Sequence, residues 1–217
     1  MKSSAIPVDE NKNEAFCIGS GAVPILDIQI AVQCAPVLLG IKMSNILITM
    51  PEHENFVYHL FKNTVFSVVC IQKDRQRIAF LIYHRRMLEQ YMQCREVAIF
   101  MKKQGYQNLD LDGKIKELSK RFSAHIEKKS EFPHEMGMFL GYPFEDVVGF
   151  MEQKGKNYLY AGYWKVYGNI NTAKRSFASY NRAKRWVCAM VSQGVPVMKI
   201  IHSYSMHCVA GSTKSLR

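Results

Sequence analysis

The sequence predicts a mixed α/β protein, with a single mixed sheet of about five to six strands and helices packed on it. Three observations lead there. Runs rich in β-branched and aromatic residues recur at 45–49, 65–71 and 77–83. Segments 113–128 and 172–193 carry apolar residues at helical spacing. Residues 136–167 read as one strand-helix-strand unit.

Residues 1–20 are polar and are expected as a flexible tail before one globular unit over 21–204, with 205–217 as a C-terminal tail. Residues 25–32 read as a short helix entering a break at Cys34-Ala35-Pro36. NILIT at 45–49 reads as a buried strand. Pro51, Glu52 and Glu54 open a helix ending near Lys62, with Phe56, Leu60 and Phe61 on its apolar side. The runs 65–71 and 77–83 flank the charged turn QKDRQ and predict a hairpin. Residues 87–104 read as a helix stopped by Gly105, and 113–128 as a second helix bearing Ile115, Leu118, Phe122 and Ile126 in register. The connection 105–112 is the best candidate for a boundary between lobes.

The most informative stretch is 132–169, FPHEMGMFLGYPFEDVVGFMEQKGKNYLYAGYWKVYGN. Residues 136–140 read as a strand that Gly141 breaks. Pro143 opens a helix over 143–154, with Glu145 and Asp146 in the first turn, where negative charge complements the dipole. Lys154 and Gly155 close it. Residues 158–167 read as an aromatic strand, and so short a crossover predicts two parallel strands. The helix at 172–193 turns Ala173, Phe177, Tyr180, Val187 and Val191 to one side and Lys174, Arg175, Arg182 and Arg185 to another. Gly194 ends it. Residues 195–204 read as a further edge strand, Pro196 being tolerated at its start.

Apolar content of 48% and charged content of 22% fit a globular chain that needs no disulfide or metal to fold. The six cysteines contain no CxxC and no close pair, so neither a zinc ligand set nor a redox pair is expected, and no cofactor class is indicated. Asp27 and Gln29 interrupt the apolar stretch after Gly21, which excludes a secretory core, and no run approaches a membrane span. Reduced thiols in a cytoplasm are the expectation. The net charge of +11 raises attraction to nucleic acid, anionic lipid and phosphorylated or carboxylated ligands.

Four constellations could carry chemistry. Gly141-Tyr142-Pro143 lies where a strand is expected to pass into a helix, an edge that binds ligands in open α/β sheets, although Glu145 and Asp146 argue against phosphate there. His134-Glu135 pairs an imidazole with a carboxylate and supplies acid/base candidates; the spacing is not HExxH, and on the strand reading His134 lies at the opposite end from Gly141. Cys34, eight residues before Lys42, is a candidate thiolate, although a helix C-terminus would disfavour that form. The basic residues Lys174, Arg175, Arg182 and Arg185, beside Trp186 and the aromatics of 158–167, offer phosphate contacts and stacking to single-stranded nucleic acid. Each has a structural alternative: a turn, a bonded histidine, a buried thiol, and a solvated face over an aromatic core wall.

Three pieces of the chain, Cys34-Ala35-Pro36 with Gly40-Ile41-Lys42, residues 132–148, and GYWKVY at 162–167, resemble the bacterial domain-of-unknown-function family 3793 (DUF3793) over most of the length. The resemblance implies a small cytosolic bacterial protein whose motif surrounds one site, and it carries no reaction or cofactor. The matching polar residues are Cys34, Lys42, His134, Glu135, Tyr142, Glu145, Asp146, Trp164, Lys165 and Tyr167. Met136 and Met138 stand where the family pattern has Ile or Leu.

The leading expectation is a small-ligand or cofactor-binding protein, open to enzymatic chemistry. It uses His134, Glu135 and Cys34 as catalytic candidates and Lys42, Gly141, Tyr142, Trp164, Lys165 and Tyr167 as ligand contacts. A nucleic-acid-binding module on the helix 172–193, and a partner-binding protein presenting GYWKVY as a sticky surface, are the alternatives.

Overall fold

A computed structural model describes residues 24–214. The N-terminal segment expected as a tail, Cys17 within it, lies outside the described residues, as do 215–217. The elements run α1 (Ile25–Leu38), β1 (Ser44–Thr49), a 3₁₀ turn (Pro51–His53), α2 (Glu54–Phe61), β2 (Phe66–Lys73), β3 (Ile78–His84), α3 (Arg85–Gln93) and α4 (Arg95–Met101). After a π turn (Lys102–Tyr106) come α5 (Leu111–Ile126), α6 (Met136–Phe139), α7 (Phe144–Glu152), β4 (Tyr160–Ala161), β5 (Lys165–Val166), α8 (Ile170–Ser192) and α9 (Val197–Lys214). No described helix is long and apolar enough to cross a membrane.

The mixed α/β class holds, but there is no single sheet of five or six strands. β1-β3-β2 form one antiparallel three-stranded sheet, and β4-β5 a separate two-stranded ribbon. β3 is central and buried on both faces, which explains its unbroken IAFLIY run. Ile78, Phe80 and Ile82 point into a core shared with α1, α2, α8 and α9. Ala79, Leu81 and Tyr83 point into a second core shared with α3 to α7. The period of two along one strand thus feeds two cores on opposite faces. The predicted 65–71/77–83 hairpin is β2-β3; Asp74 holds its turn by accepting from the backbone N–H groups of Gln76 and Arg77.

Of three further strands expected from sequence, two are helical and one is a hairpin of two short strands. Residues 136–140 form the single helical turn α6 and its end, buried all round, and a short run buried on every side carries no period to separate strand from helix. The parallel strand-helix-strand unit therefore does not exist. Residues 158–167 fold back on themselves as the β4-β5 hairpin, turning at Gly162; a Cβ there would sit 2.2 Å from the Phe177 ring. Residues 195–204 belong to α9. Val197, Ile200 and Ile201 are buried at helical spacing, and the buried carboxylate of Asp27 accepts from Val197 N at 3.0 Å, satisfying one free donor of the helix start. Residues 205–214, expected within a C-terminal tail, continue that helix.

α1 likewise runs through Cys34-Ala35-Pro36 instead of breaking there, ending two residues beyond Pro36. The expected helix 87–104 is broken at Cys94 into α3 and α4, and Gly105, expected to stop it, leaves the helical conformation at φ +85°. Of the residues assigned to the apolar side of α2, Leu60 and Phe61 are buried whereas Phe56 is 48% exposed. The apolar set predicted for α8, from Ala173 to Val191, is buried throughout.

Candidate functional site

The end of α1 determines where Lys42 goes. Leu39 closes the helix and Gly40 follows at φ +66°, a left-handed conformation that glycine adopts without strain. Gly40 N donates to Val37 O, and Ile41 N donates to Pro36 O at 2.8 Å, the paired bonds of a Schellman ending. Lys42 N donates to the same Pro36 carbonyl at 3.0 Å, so the chain wraps the helix end and delivers Lys42 beneath it.

The Lys42 side chain is buried, 5% exposed. Its Nζ donates to Asn45 Oδ1 at 2.6 Å and lies 5.3 Å from the centre of the Tyr142 ring. Asn45 is fixed in turn, because its amide nitrogen donates to Gln33 O. Among the described residues no carboxylate forms an ion pair with Lys42. Burial drives its pKa down to about 7, and burial pushes the neighbouring Cys34 thiol up to about 12, each tempered by the other's charge. Near neutrality the pair is therefore an amine poised to change charge beside an inert neutral thiol.

Tyr142 connects Lys42 to the rest of the motif. Its ring stacks on Trp164, centroids 5.0 Å apart at 27°, and its carbonyl accepts from Tyr91 Oη at 2.6 Å. Trp164 is 7% exposed and meets Phe177 edge-on at 4.5 Å. Its Nε1 donates to Asp146 Oδ2 at 2.7 Å, while Asp146 Oδ1 accepts from the N–H groups of Tyr167 and Gly168 at 2.7 and 2.8 Å. Asp146 sits in the first turn of α7, as expected, yet its carboxylate clamps the β4-β5 hairpin. Gly141 holds a positive φ of +69° against the Met43 side chain, in a turn that follows a helix and not a strand.

The sequence candidates thus separate into groups. Cys34, Lys42, Tyr142 and Trp164 come together. Glu135 belongs elsewhere: buried, it accepts from Arg121 Nη1 at 2.8 Å and Tyr106 Oη at 2.9 Å. His134 is half-buried between Phe132 and Phe150, and that desolvation lowers its pKa. Its charged neighbours are Glu135, Glu131 and His125, whereas the charge beside Cys34 is that of Lys42. The two residues lie on a turn before α6, so the picture of His134 and Gly141 at opposite ends of one strand does not apply. Lys165 is occupied at the end of α7, donating to Gly155 O at 2.7 Å beneath the rings of Phe150 and Tyr158. Tyr167 contributes its backbone to the Asp146 clamp, and its buried hydroxyl has no hydrogen-bond partner among the described residues. Lys174, Arg175, Arg182 and Arg185 are all exposed on α8.

Sequence reasoning missed Asn45, Gln33, Tyr91, Tyr106 and Arg121. One signal was available: Gln29 and Gln33 are polar residues four apart in a helix that is apolar apart from Asp27 in its first turn. Gln33 bonds both the N–H and the carbonyl of Ile48, covering the β1 edge, and Gln29 accepts from Thr49. The others are joined only across the fold.

A family model described as "Protein of unknown function (DUF3793)" matches residues 30–201. No curated protein and no solved structure matches the chain.

Proposed function

The chain belongs to the DUF3793 family, matched over residues 30–201, and from that premise we propose that it is a cytoplasmic small-ligand-binding protein with its site at Lys42. One observation carries this reading: three separated pieces of the family pattern supply Cys34 and Lys42, Tyr142, and Trp164 to one cluster around a buried amine that no described carboxylate neutralises. A buried ammonium is costly without a counter-charge, and core packing alone gives no reason to place one there. An ammonium has three donors, and Asn45 takes one of them. A ligand carboxylate, phosphate or carbonyl oxygen supplies an acceptor for another, and the Tyr142 ring supplies a wall. With a pKa driven down to about 7, the same amine also serves as a base or nucleophile, which is the enzymatic version of the proposal. The free thiols of Cys34, Cys70 and Cys94 among the described residues suit a reducing compartment.

In this reading Glu135 is a structural partner of Arg121, and His134 lines a neighbouring aromatic cluster. The test is thermal unfolding of the wild type and Lys42→Met against panels of small carboxylates, phosphates and aldehydes. One class should raise the wild-type midpoint and leave the variant unmoved. A ligand class that stabilises both equally, or none that stabilises the wild type, removes the reading. The partner-binding alternative loses its largest anchor, because Trp164 is buried. A nucleic-acid role rests on a different surface, the exposed side of α8.

A further inference from the structure

Charge is segregated along this chain. The last carboxylate is Glu152, and the 18 acidic residues up to that point balance an equal number of lysines and arginines. The whole excess of +11 therefore belongs to residues 153–217, the part of the sequence whose described elements are the β4-β5 hairpin, α8 and α9. A solubility charge has no reason to collect in this way, and it builds a one-signed surface potential.

The structure adds aromatic faces to that charge. Tyr158, Tyr160 and Tyr163 of the hairpin are 45%, 39% and 37% exposed, and Trp186 of α8 is 50% exposed. Two of them are held by packing beneath: Tyr160 stacks on Phe177, and Tyr163 packs on Phe177 and Tyr180. Cations stand next to them. Lys174 Nζ lies 5.0 Å from the Tyr160 ring centre. Tyr163 Oη donates to Asn181 Oδ1 at 2.9 Å and feels the charge of Arg185.

Helical spacing orders the rest. Lys174, Ala178, Asn181 and Arg185 follow one stripe of α8, and Arg175, Ser179, Arg182 and Trp186 follow the next. Arg175 and Arg182 are steadied by Thr172 and Ser179, three residues before each. From Lys174 to Arg185 the helix rises about 16 Å. No carboxylate comes from the hairpin or from either of the last two helices.

We propose that the hairpin and the outer stripes of α8 form a docking surface for single-stranded nucleic acid, with Lys174, Arg182 and Arg185 contacting phosphates and Tyr160, Tyr163 and Trp186 stacking on bases. Splayed bases need exposed ring faces beside cations, and that combination is what this surface holds. A duplex offers the same charge without free base faces, so it engages only the cations. The surface is independent of the Lys42 site.

The experiment measures anisotropy of labelled uridine and deoxythymidine homopolymers of about 20 nucleotides, a duplex of equal length, heparin as competitor, and anionic vesicles. The full chain should bind single strands more tightly than duplex, with affinity falling steeply as salt rises, and the two homopolymers separate RNA from DNA as the source. The triple variant Lys174→Gln, Arg182→Gln, Arg185→Gln should flatten the logarithmic salt slope by about two, from three phosphate contacts at roughly 0.7 each. Trp186→Leu should weaken single-strand binding by about tenfold with the slope unchanged. All these positions are exposed, so both variants should fold, and circular dichroism checks this. Equal affinity for duplex and single strand, binding to vesicles without binding to oligonucleotides, or no binding at low salt overturns the proposal.

Discussion

Asp146 receives the indole N–H of Trp164 at 2.7 Å, and with its other oxygen it takes the two backbone N–H groups that follow β5. One buried carboxylate thus anchors the aromatic hairpin to α7 and seats Trp164 against Tyr142, whose ring carries Lys42.

Asp146→Ala leaves three donors without their acceptor, and each bond to a charged group contributes about 1.5–3 kcal/mol. The expected loss is about 3 kcal/mol or more of unfolding free energy by urea titration, with Trp164 emission shifting to the red as the hairpin loosens. Asp146→Asn keeps the size and one acceptor, and should lose less. Unchanged emission in the alanine variant would show that packing on Phe177 alone holds the tryptophan.

Lys42 and Cys34 predict an unusual pH profile. The folded pKa of Lys42 lies below its unfolded value of about 10.5, so above about pH 7 the unfolded chain binds more protons and stability rises with pH. Between about pH 7 and about pH 9 the gain over Lys42→Met should reach roughly 2–3 kcal/mol. Above about pH 9 Cys34 works in the opposite direction, because its folded pKa is raised and the unfolded thiol ionises first, so stability is lost. Urea titrations across this range should give a maximum for the wild type, with the rising limb absent in Lys42→Met and the falling limb reduced in Cys34→Ala.

Glu135→Ala should destabilise the fold. It removes the buried partner of Arg121 and Tyr106, and breaking a buried pair costs about 3–5 kcal/mol when a charge is stranded. Arg121 retains Glu117, which lowers the expectation to about 2–3 kcal/mol. Glu135→Gln keeps an acceptor and should lose about half as much by the same measurement. Full stability with lost ligand binding in Glu135→Ala would return the residue to the list of catalytic candidates.

Gly149→Ala sets two effects against each other. Alanine in a helix gains up to about 1 kcal/mol over glycine. Here the added Cβ would come within 2.6 Å of Tyr167 Cβ, on a residue whose backbone Asp146 already fixes. Overpacking at such a place costs about 1–3 kcal/mol. The clash should win, with a thermal midpoint below wild type; a raised midpoint would mean the hairpin can shift away from α7.

Much of the architecture was legible where one period dominates. α5, α7 and the buried stripe of α8 follow from helical spacing and end signals, because each is half-buried and its solvent side marks the phase, and the β2-β3 hairpin follows from two β-rich runs flanking a charged turn. Residues 136–140 gave no such phase, being buried on every side, and GYWKVY hid a turn within an aromatic run that reads as strand. In α9 the β-branched residues spoke for strand, and the deciding bond comes from Asp27, 170 residues away.

For the site, the motif pieces around Cys34, Lys42, Tyr142 and Trp164, and the basic stripe on α8, are legible in the chain itself. Their grouping comes from the packing of separate elements. Lys42 meets Tyr142 and Asn45, Glu135 turns to Arg121, and Lys165 closes α7. The reason is physical: spacing along a chain fixes which side chains share a face of one element, whereas burial, and with it the charge state of an amine such as Lys42, is created only when separate elements exclude water from it.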